Sequence, residues 1–184
     1  YAIGGEEEQG VISGDISRYN FEENTWTNVG QIKEKRMDFA AAEAQNGIYV
    51  FGGYNGTDLL NNIEVISSDG RIDQVTLNQE SSIIARRAHE AVQYNGKIYI
   101  IGGEDAEGNP LNTLEVFDVE TKTIEIKAPM TVGRKNFGAS LCLIGDKFYI
   151  VVAGGENKDG ILNSVEIYDI EGNAWSDKVE NLIT

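Results

Sequence analysis

The stretch that decides the fold is YIIGG, Tyr99 to Gly103, because it recurs as YVFGG at Tyr49 to Gly53 and as YAIGG at Tyr1 to Gly5. A looser copy, YIVVAGG, runs from Tyr149 to Gly155. The first glycines of these doublets, Gly4, Gly52, Gly102 and Gly154, lie 48, 50 and 52 residues apart. A sustained period of this length marks a repeat architecture. One doublet would carry no information; four in phase define a unit.

Working outward from the doublet, a polar loop leads into an apolar-alternating run at Ile16, Ile63, Leu114 and Val165, which reads as a half-buried strand. Three units place a large apolar residue seven positions beyond an aromatic: Tyr19 and Trp26, Phe117 and Ile124, Tyr168 and Trp175. The second unit breaks this spacing, with Asp73 seven beyond Ile66. Arg36 and Arg134 follow ten residues after Trp26 and Ile124, and Arg86 takes the same place after an insertion around Gln79 to Ile84. Each arginine opens a small or apolar run that returns to the Tyr-containing strand. Asn46-Gly47, Asn95-Gly96, Gly145-Asp146 and Asp69-Gly70 supply tight hairpin turns. The unit is thus four short antiparallel strands, an inner one after the arginine, a second ending at the doublet, a third that is Glu-bearing and an outer one at the Trp position.

This pattern predicts an all-β body with repeats at 1-48, 49-98, 99-148 and 149-184 in a single domain, its sheets stacked with Trp26, Trp175, Tyr168 and Phe117 between them. The fourth copy spaces Tyr149 from Gly154 by five residues instead of three, and a bulge is expected there. The doublets lead into no helix and lack GxGxxG spacing, so they serve backbone geometry and not phosphate binding.

Composition excludes several functions. The net charge of −15 opposes nucleic-acid binding, which needs a basic surface. No run approaches the length of a membrane-spanning helix. The one cysteine, Cys142, excludes an internal disulfide and reads as a small packing residue. His89 is the one histidine, at the position held by Phe39 and Phe137 in sister units, which points to packing and leaves no serine or cysteine triad within this chain. Asp105, Glu107 and Asn109 alternate without the spacing of a calcium loop, and Asn55-Gly56-Thr57 forms an N-glycosylation pattern that matters only after secretion. No cofactor or metal is expected. The compartment is unknown from sequence, with the cytoplasm slightly favoured.

Gly-Gly after an apolar Tyr strand, the Asn-x-apolar-Glu-apolar segments at Asn61, Asn112 and Asn163, the Tyr and Trp seven apart and the arginine opening the next strand together resemble Kelch repeats over essentially the whole chain. The resemblance implies a Kelch-type β-propeller of four consecutive repeats, the first lacking its innermost strand. Since such propellers usually have five to seven blades, it also implies part of a larger disc with open strand edges able to pair with another chain.

The implied function is a non-catalytic protein-interaction scaffold, binding through the loops after the doublets and the segments before the inner strands. By resemblance to adaptor propellers, Arg36, Arg86, Arg87 and Arg134 are candidate contacts for an acidic peptide. The loop residues Asn55, Asp58, Glu104, Asp105, Glu156 and Asn157 complete the candidate surface, and they would suit a basic or polar partner instead. A recurring arginine has an equally good structural reading as a brace for the neighbouring loop. The alternative function is carbohydrate binding or a sialic acid mutarotase-like activity, with these arginines gripping a sugar carboxylate and Glu43 or Glu90 acting as acid or base.

Overall fold

The computed structural model describes residues 1–45, 47–78 and 82–176. The first sheet holds β1 (Ala2–Glu6), β2 (Ile12–Asn20) and β3 (Thr25–Gln31), with a tight turn at Glu8–Gly10 between β1 and β2. The second holds β4 (Ala40–Ala44), β5 (Gly47–Phe51), β6 (Ile63–Ser67) and β7 (Ile72–Gln74). The third holds β8 (Glu90–Tyr94), β9 (Lys97–Ile101), β10 (Leu114–Asp118) and β11 (Thr123–Lys127). The fourth holds β12 (Gly138–Ile144), β13 (Lys147–Ala153), β16 (Val165–Asp169) and β17 (Ala174–Trp175), while β14 (Glu156–Asn157) and β15 (Gly160–Ile161) form a small hairpin in its loop. Every pairing is antiparallel and follows chain order. This is the blade order of a β-propeller, and β1 ends its three-stranded sheet as an edge.

The second and third sheets have two apolar faces because each is covered on both sides. The leading face of the third sheet (Ile98, Ile100, Phe117) packs on the trailing face of the second (Ala44, Tyr49, Phe51, Ile63). Ile150, Val152 and Tyr168 of the fourth sheet likewise meet Val92, Tyr99, Ile101, Leu114 and Val116 of the third. Ile16 of the first sheet packs with Val50 and Ile66 of the second. No apolar cluster joins the fourth sheet to the first among the described residues.

The doublets are glycine for a positional reason. Gly102 has φ +58, and a Cβ there would lie 2.7 Å from the Arg134 carbonyl. Gly103, at φ +93, would bring a Cβ within 2.5 Å of the Arg87 carbonyl. Its N–H donates to Arg134 O at 2.9 Å, so the segment entering the fourth sheet lies directly against the end of β9.

Three expectations are corrected. The fourth copy contains no bulge: β12 and β13 pair in continuous register from Gly138↔Ala153 to Ile144↔Lys147. The extra residues lengthen both strands of that hairpin to seven, against five in β8 and β9, so Val151 and not Tyr149 takes the place of Tyr99. Register shifts occur in the first sheet, between Ile3 and Gly5 and between Ile16 and Ser17. In the second sheet a shorter turn pairs Ile66 with Ile72, which restores an apolar pair that the seven-residue spacing misses. Finally, Trp26 is 59% exposed, although Tyr168 and Phe117 are buried as anticipated and Trp175 is half-buried. The leading face that carries Trp26 has no sheet in front of it within the described residues. The turn containing Asn46 and the insertion at Gln79 to Ile84 fall partly outside those residues.

Candidate functional site

Arg36, Arg86 and Arg134 are fully buried, which removes them from the partner-binding surface where the sequence reading put them. Arg36 Nη1 donates to the Gly52 carbonyl at 2.8 Å, Arg86 Nη1 to Gly102 O at 2.8 Å, and Arg134 Nη1 to Gly154 O at 2.8 Å. Nη2 of each pairs with a buried glutamate on the third strand of the following sheet: Glu64, Glu115 and Glu166. These carboxylates also accept backbone N–H groups from the segment ahead of the arginine, as Glu166 does from Thr131 at 2.7 Å and Val132 at 3.2 Å. A guanidinium desolvated between sheets is tolerable only with such pairing, and these three are buried against carboxylate and carbonyl oxygens instead of facing the loop surface. The signal for this pairing was present in the chain as the one glutamate shared by IEVIS, LEVFD and VEIYD.

The next residue behaves differently. Met37, Arg87 and Lys135 each follow a buried arginine, and each bridges backbone-to-backbone with the residue after the next doublet, Tyr54, Glu104 and Glu156. Their side chains therefore emerge at the loop face. Here a cleft of roughly 590 Å³ opens between the loops of the second and third sheets, lined by Tyr54, Thr57, Asp58, Leu59, Arg87, Glu104, Asp105, Ala106, Glu107, Gly108 and Lys135. Of the sequence-derived candidates it gathers Asp58, Arg87, Glu104 and Asp105; it adds Tyr54, Glu107 and Lys135, which that reading missed as contacts.

Glu104 organises the floor of this cleft. Arg87 Nε donates to its Oε1 at 2.7 Å and Lys135 Nζ to its Oε2 at 2.6 Å. Burial raises the carboxyl, but the two cations together outweigh that and hold it below the ordinary glutamate range. The Arg87 guanidinium also lies 5.4 Å over the Tyr54 ring. Both cations are thus engaged from below. Asp105 is engaged as well, its Oδ1 accepting Asn109 N at 2.7 Å and its Oδ2 accepting Asn109 Nδ2 at 2.9 Å. Asp58 and Glu107 are exposed at the rim, and no hydrogen bond or ion pair forms at either carboxylate among the described residues.

The remaining candidates lie apart from the cleft. Asn55 shapes its own loop, accepting Thr57 N and Asp58 N at 2.9 and 2.8 Å while donating to Glu34. Glu156 accepts from Asn136 Nδ2 at 2.8 Å, and Asn157 caps the β14–β15 turn through Asp159 N. His89 is buried beneath the cleft at the Phe39 and Phe137 position, and neither ring nitrogen forms a hydrogen bond of normal geometry. Burial, reinforced by Arg86 and weakly opposed by the Phe51 backbone, lowers its pKa to about 3.

Four-stranded sheets joined by Gly-Gly crossings and braced by buried Arg–Glu pairs define a Kelch-type β-propeller unit. The Kelch-repeats domain family described as KLHDC2/KLHL20/DRC7 matches residues 1–181, and the chain belongs to it. It is similar to Kelch-like protein 40 of Xenopus laevis, 26% identical over 178 residues that cover 95% of this chain and 28% of that protein. It is also similar to Kelch-like protein 26 of Danio rerio, 28% identical over 182 residues, covering 95% of this chain and 29% of that protein. Beta-scruin of Limulus polyphemus is 26% identical over 180 residues, 89% of this chain and 19% of that protein. The chain thus spans under a third of the length of these relatives.

Proposed function

We propose that the chain is a non-catalytic protein-interaction module whose partner docks at the cleft between the loops of the second and third sheets. The observation that carries this reading is the engagement of Arg87 and Lys135 by Glu104, which leaves Asp58 and Glu107 at the rim as carboxylates unpaired among the described residues. The group that fits is a basic or polar side chain of an extended peptide, stacking beside Tyr54 and meeting the rim carboxylates. An acidic peptide would have to displace Glu104 from both cations. The family resemblance supports a binding role without naming the partner. A carbohydrate or mutarotase-like reading requires Arg36, Arg86 and Arg134 to face a ligand, and they face carboxylates instead.

The test is titration of the chain with short arginine-rich and glutamate-rich peptides, followed by amide chemical shifts. The basic peptide should shift Tyr54, Arg87 and Glu107, and Asp58→Asn with Glu107→Gln should weaken it by about 3- to 10-fold, as expected for exposed pairs. Preferential binding of the acidic peptide, or shifts confined to the opposite face, would refute the assignment.

A further inference from the structure

The residue just beyond the glycine doublet performs one backbone task in three successive units, whatever its side chain. Tyr54 N donates to Met37 O at 2.9 Å, and Tyr54 O accepts Met37 N at 3.0 Å. Glu104 makes the same two bonds with Arg87, at 2.9 and 3.3 Å, and Glu156 makes them with Lys135, at 2.9 and 3.1 Å. The fold therefore demands no carboxylate here, since a tyrosine serves equally well. Glu104 nevertheless holds a carboxylate almost wholly out of solvent, at a desolvation cost that its backbone role does not require. The three side chains also meet different fates. Tyr54 presents its ring to the Arg87 guanidinium, and Glu156 turns to Asn136 Nδ2 at 2.8 Å. Of the three, Glu104 is the one gripped by two cations, Arg87 and Lys135.

Arg87 and Lys135 stand on segments that enter different sheets, so their convergence on one carboxylate is made by the stacking. Both cations remain partly open to the cleft, with side chains 35% and 25% exposed. A guanidinium N–H and an ammonium reaching the two oxygens of one carboxylate form the contact that an acidic side chain of a partner would make. Arg87 keeps support without Glu104, because the Tyr54 ring lies under it and Asp38 Oδ2 is 3.9 Å from its Nη1. Lys135 has no second ion pair among the described residues. We propose that Glu104 sets the charge specificity of the cleft. It fills, from within the chain, a two-cation seat shaped for a carboxylate, so the native site turns away acidic segments and leaves Asp58 and Glu107 to meet a basic one. This inference rests on the cleft being the docking surface. Glu104 acts as a built-in competitor, tethered at an effective concentration that a free peptide does not reach.

Three substitutions test it. Glu104→Ala empties the seat, Glu104→Gln keeps the shape without the charge, and Glu104→Asp keeps the charge on a shorter stem. Each variant is titrated with a glutamate-rich and an arginine-rich peptide while the side-chain NMR signals of Arg87 and Lys135 are followed. Glu104→Ala should bind the glutamate-rich peptide about tenfold more tightly than the native chain, with Glu104→Gln in between, because charge-assisted hydrogen bonds become available. Glu104→Asp should stay close to native, and adding Lys135→Ala to Glu104→Ala should remove the gain. Repeating the series with Asp58→Asn and Glu107→Gln present separates the seat from the rim. Absence of a gain in both backgrounds, or equal behaviour of the Ala, Gln and Asp variants, would overturn the proposal. If the native chain binds the arginine-rich peptide and no variant gains the acidic one, Glu104 loses this role while the docking surface stands. A gain at Arg87 and Lys135 without native binding of the arginine-rich peptide supports the seat and refutes the basic partner. Circular dichroism establishes that each variant is folded, and the isosteric Glu104→Gln carries the test if Glu104→Ala is not.

Discussion

Arg134 Nη2 meets Glu166 Oε1 at 2.8 Å with both side chains out of solvent, one carried by the segment leaving the third sheet and the other by the third strand of the fourth. The same relationship joins Arg36 to Glu64 and Arg86 to Glu115. It links successive sheets at the level of the glycine doublets, where apolar packing between side chains gives way to crossing backbone.

Removing one partner should therefore be severe. Arg134→Ala leaves Glu166 buried and uncompensated and should cost about 3 to 5 kcal/mol in urea denaturation. Arg134→Met combined with Glu166→Leu should cost markedly less. Equal losses in the single and double variants would show that the arginine acts by packing alone.

The buried histidine makes stability depend on pH. His89 has a folded pKa of about 3 against an ordinary 6.5, so between these values the unfolded chain binds the extra proton. Its contribution to stability is fully present above pH 6.5 and declines as pH falls, by up to roughly 1.4 kcal/mol per unit, until the folded value is reached. His89→Phe restores the residue type of the sister repeats and should flatten this decline in thermal melts between pH 4 and 7. An unchanged pH profile in the variant would assign the decline to other groups.

The doublet should tolerate no side chain. Gly102→Ala forces an alanine to φ +58 and sets its Cβ 2.7 Å from Arg134 O. The left-handed backbone alone costs about 1 to 2 kcal/mol, and the close contact adds to it. Gly70→Ala is the control, since that glycine also has positive φ, +85, but meets nothing within 4 Å. Comparable melting temperatures for the two variants would remove the close-approach account.

The two tryptophans should differ. Trp175→Ala loses packing against the third sheet and the bond to Ala128, and should cost about 2 to 4 kcal/mol. Trp26→Ala, measured in dilute solution, should cost less than about 1 kcal/mol because most of that side chain is in water. Similar costs would place Trp26 in a packed environment.

How much was legible in the chain can be argued residue by residue. The in-phase doublets and the aromatic spacing read correctly because they record local rules: a strand alternates with period two, and a tight hairpin sets which residues face each other, as Tyr168 and Trp175 do. The hairpin of the fourth repeat was misread because sequence spacing does not tell a bulge from two strands that lengthen together. The arginines were misassigned because a charge recurring at loop bases looks the same from sequence whether it points to solvent or to a carboxylate about thirty residues later, as Arg86 does to Glu115.

By itself the sequence determined the repeat, the all-β class and the order of strands in each sheet, since these follow from periodicity and turn chemistry within fifty residues or so. Only the tertiary structure decided which charges remain available. Stacking the sheets buries Arg36, Arg86 and Arg134 against the following sheet, ties Arg87 and Lys135 to Glu104, and leaves Asp58 and Glu107 exposed. The physical reason is desolvation: whether a charged group can serve a partner depends on what it must already pair with to be buried, and that is set by neighbours distant in the chain.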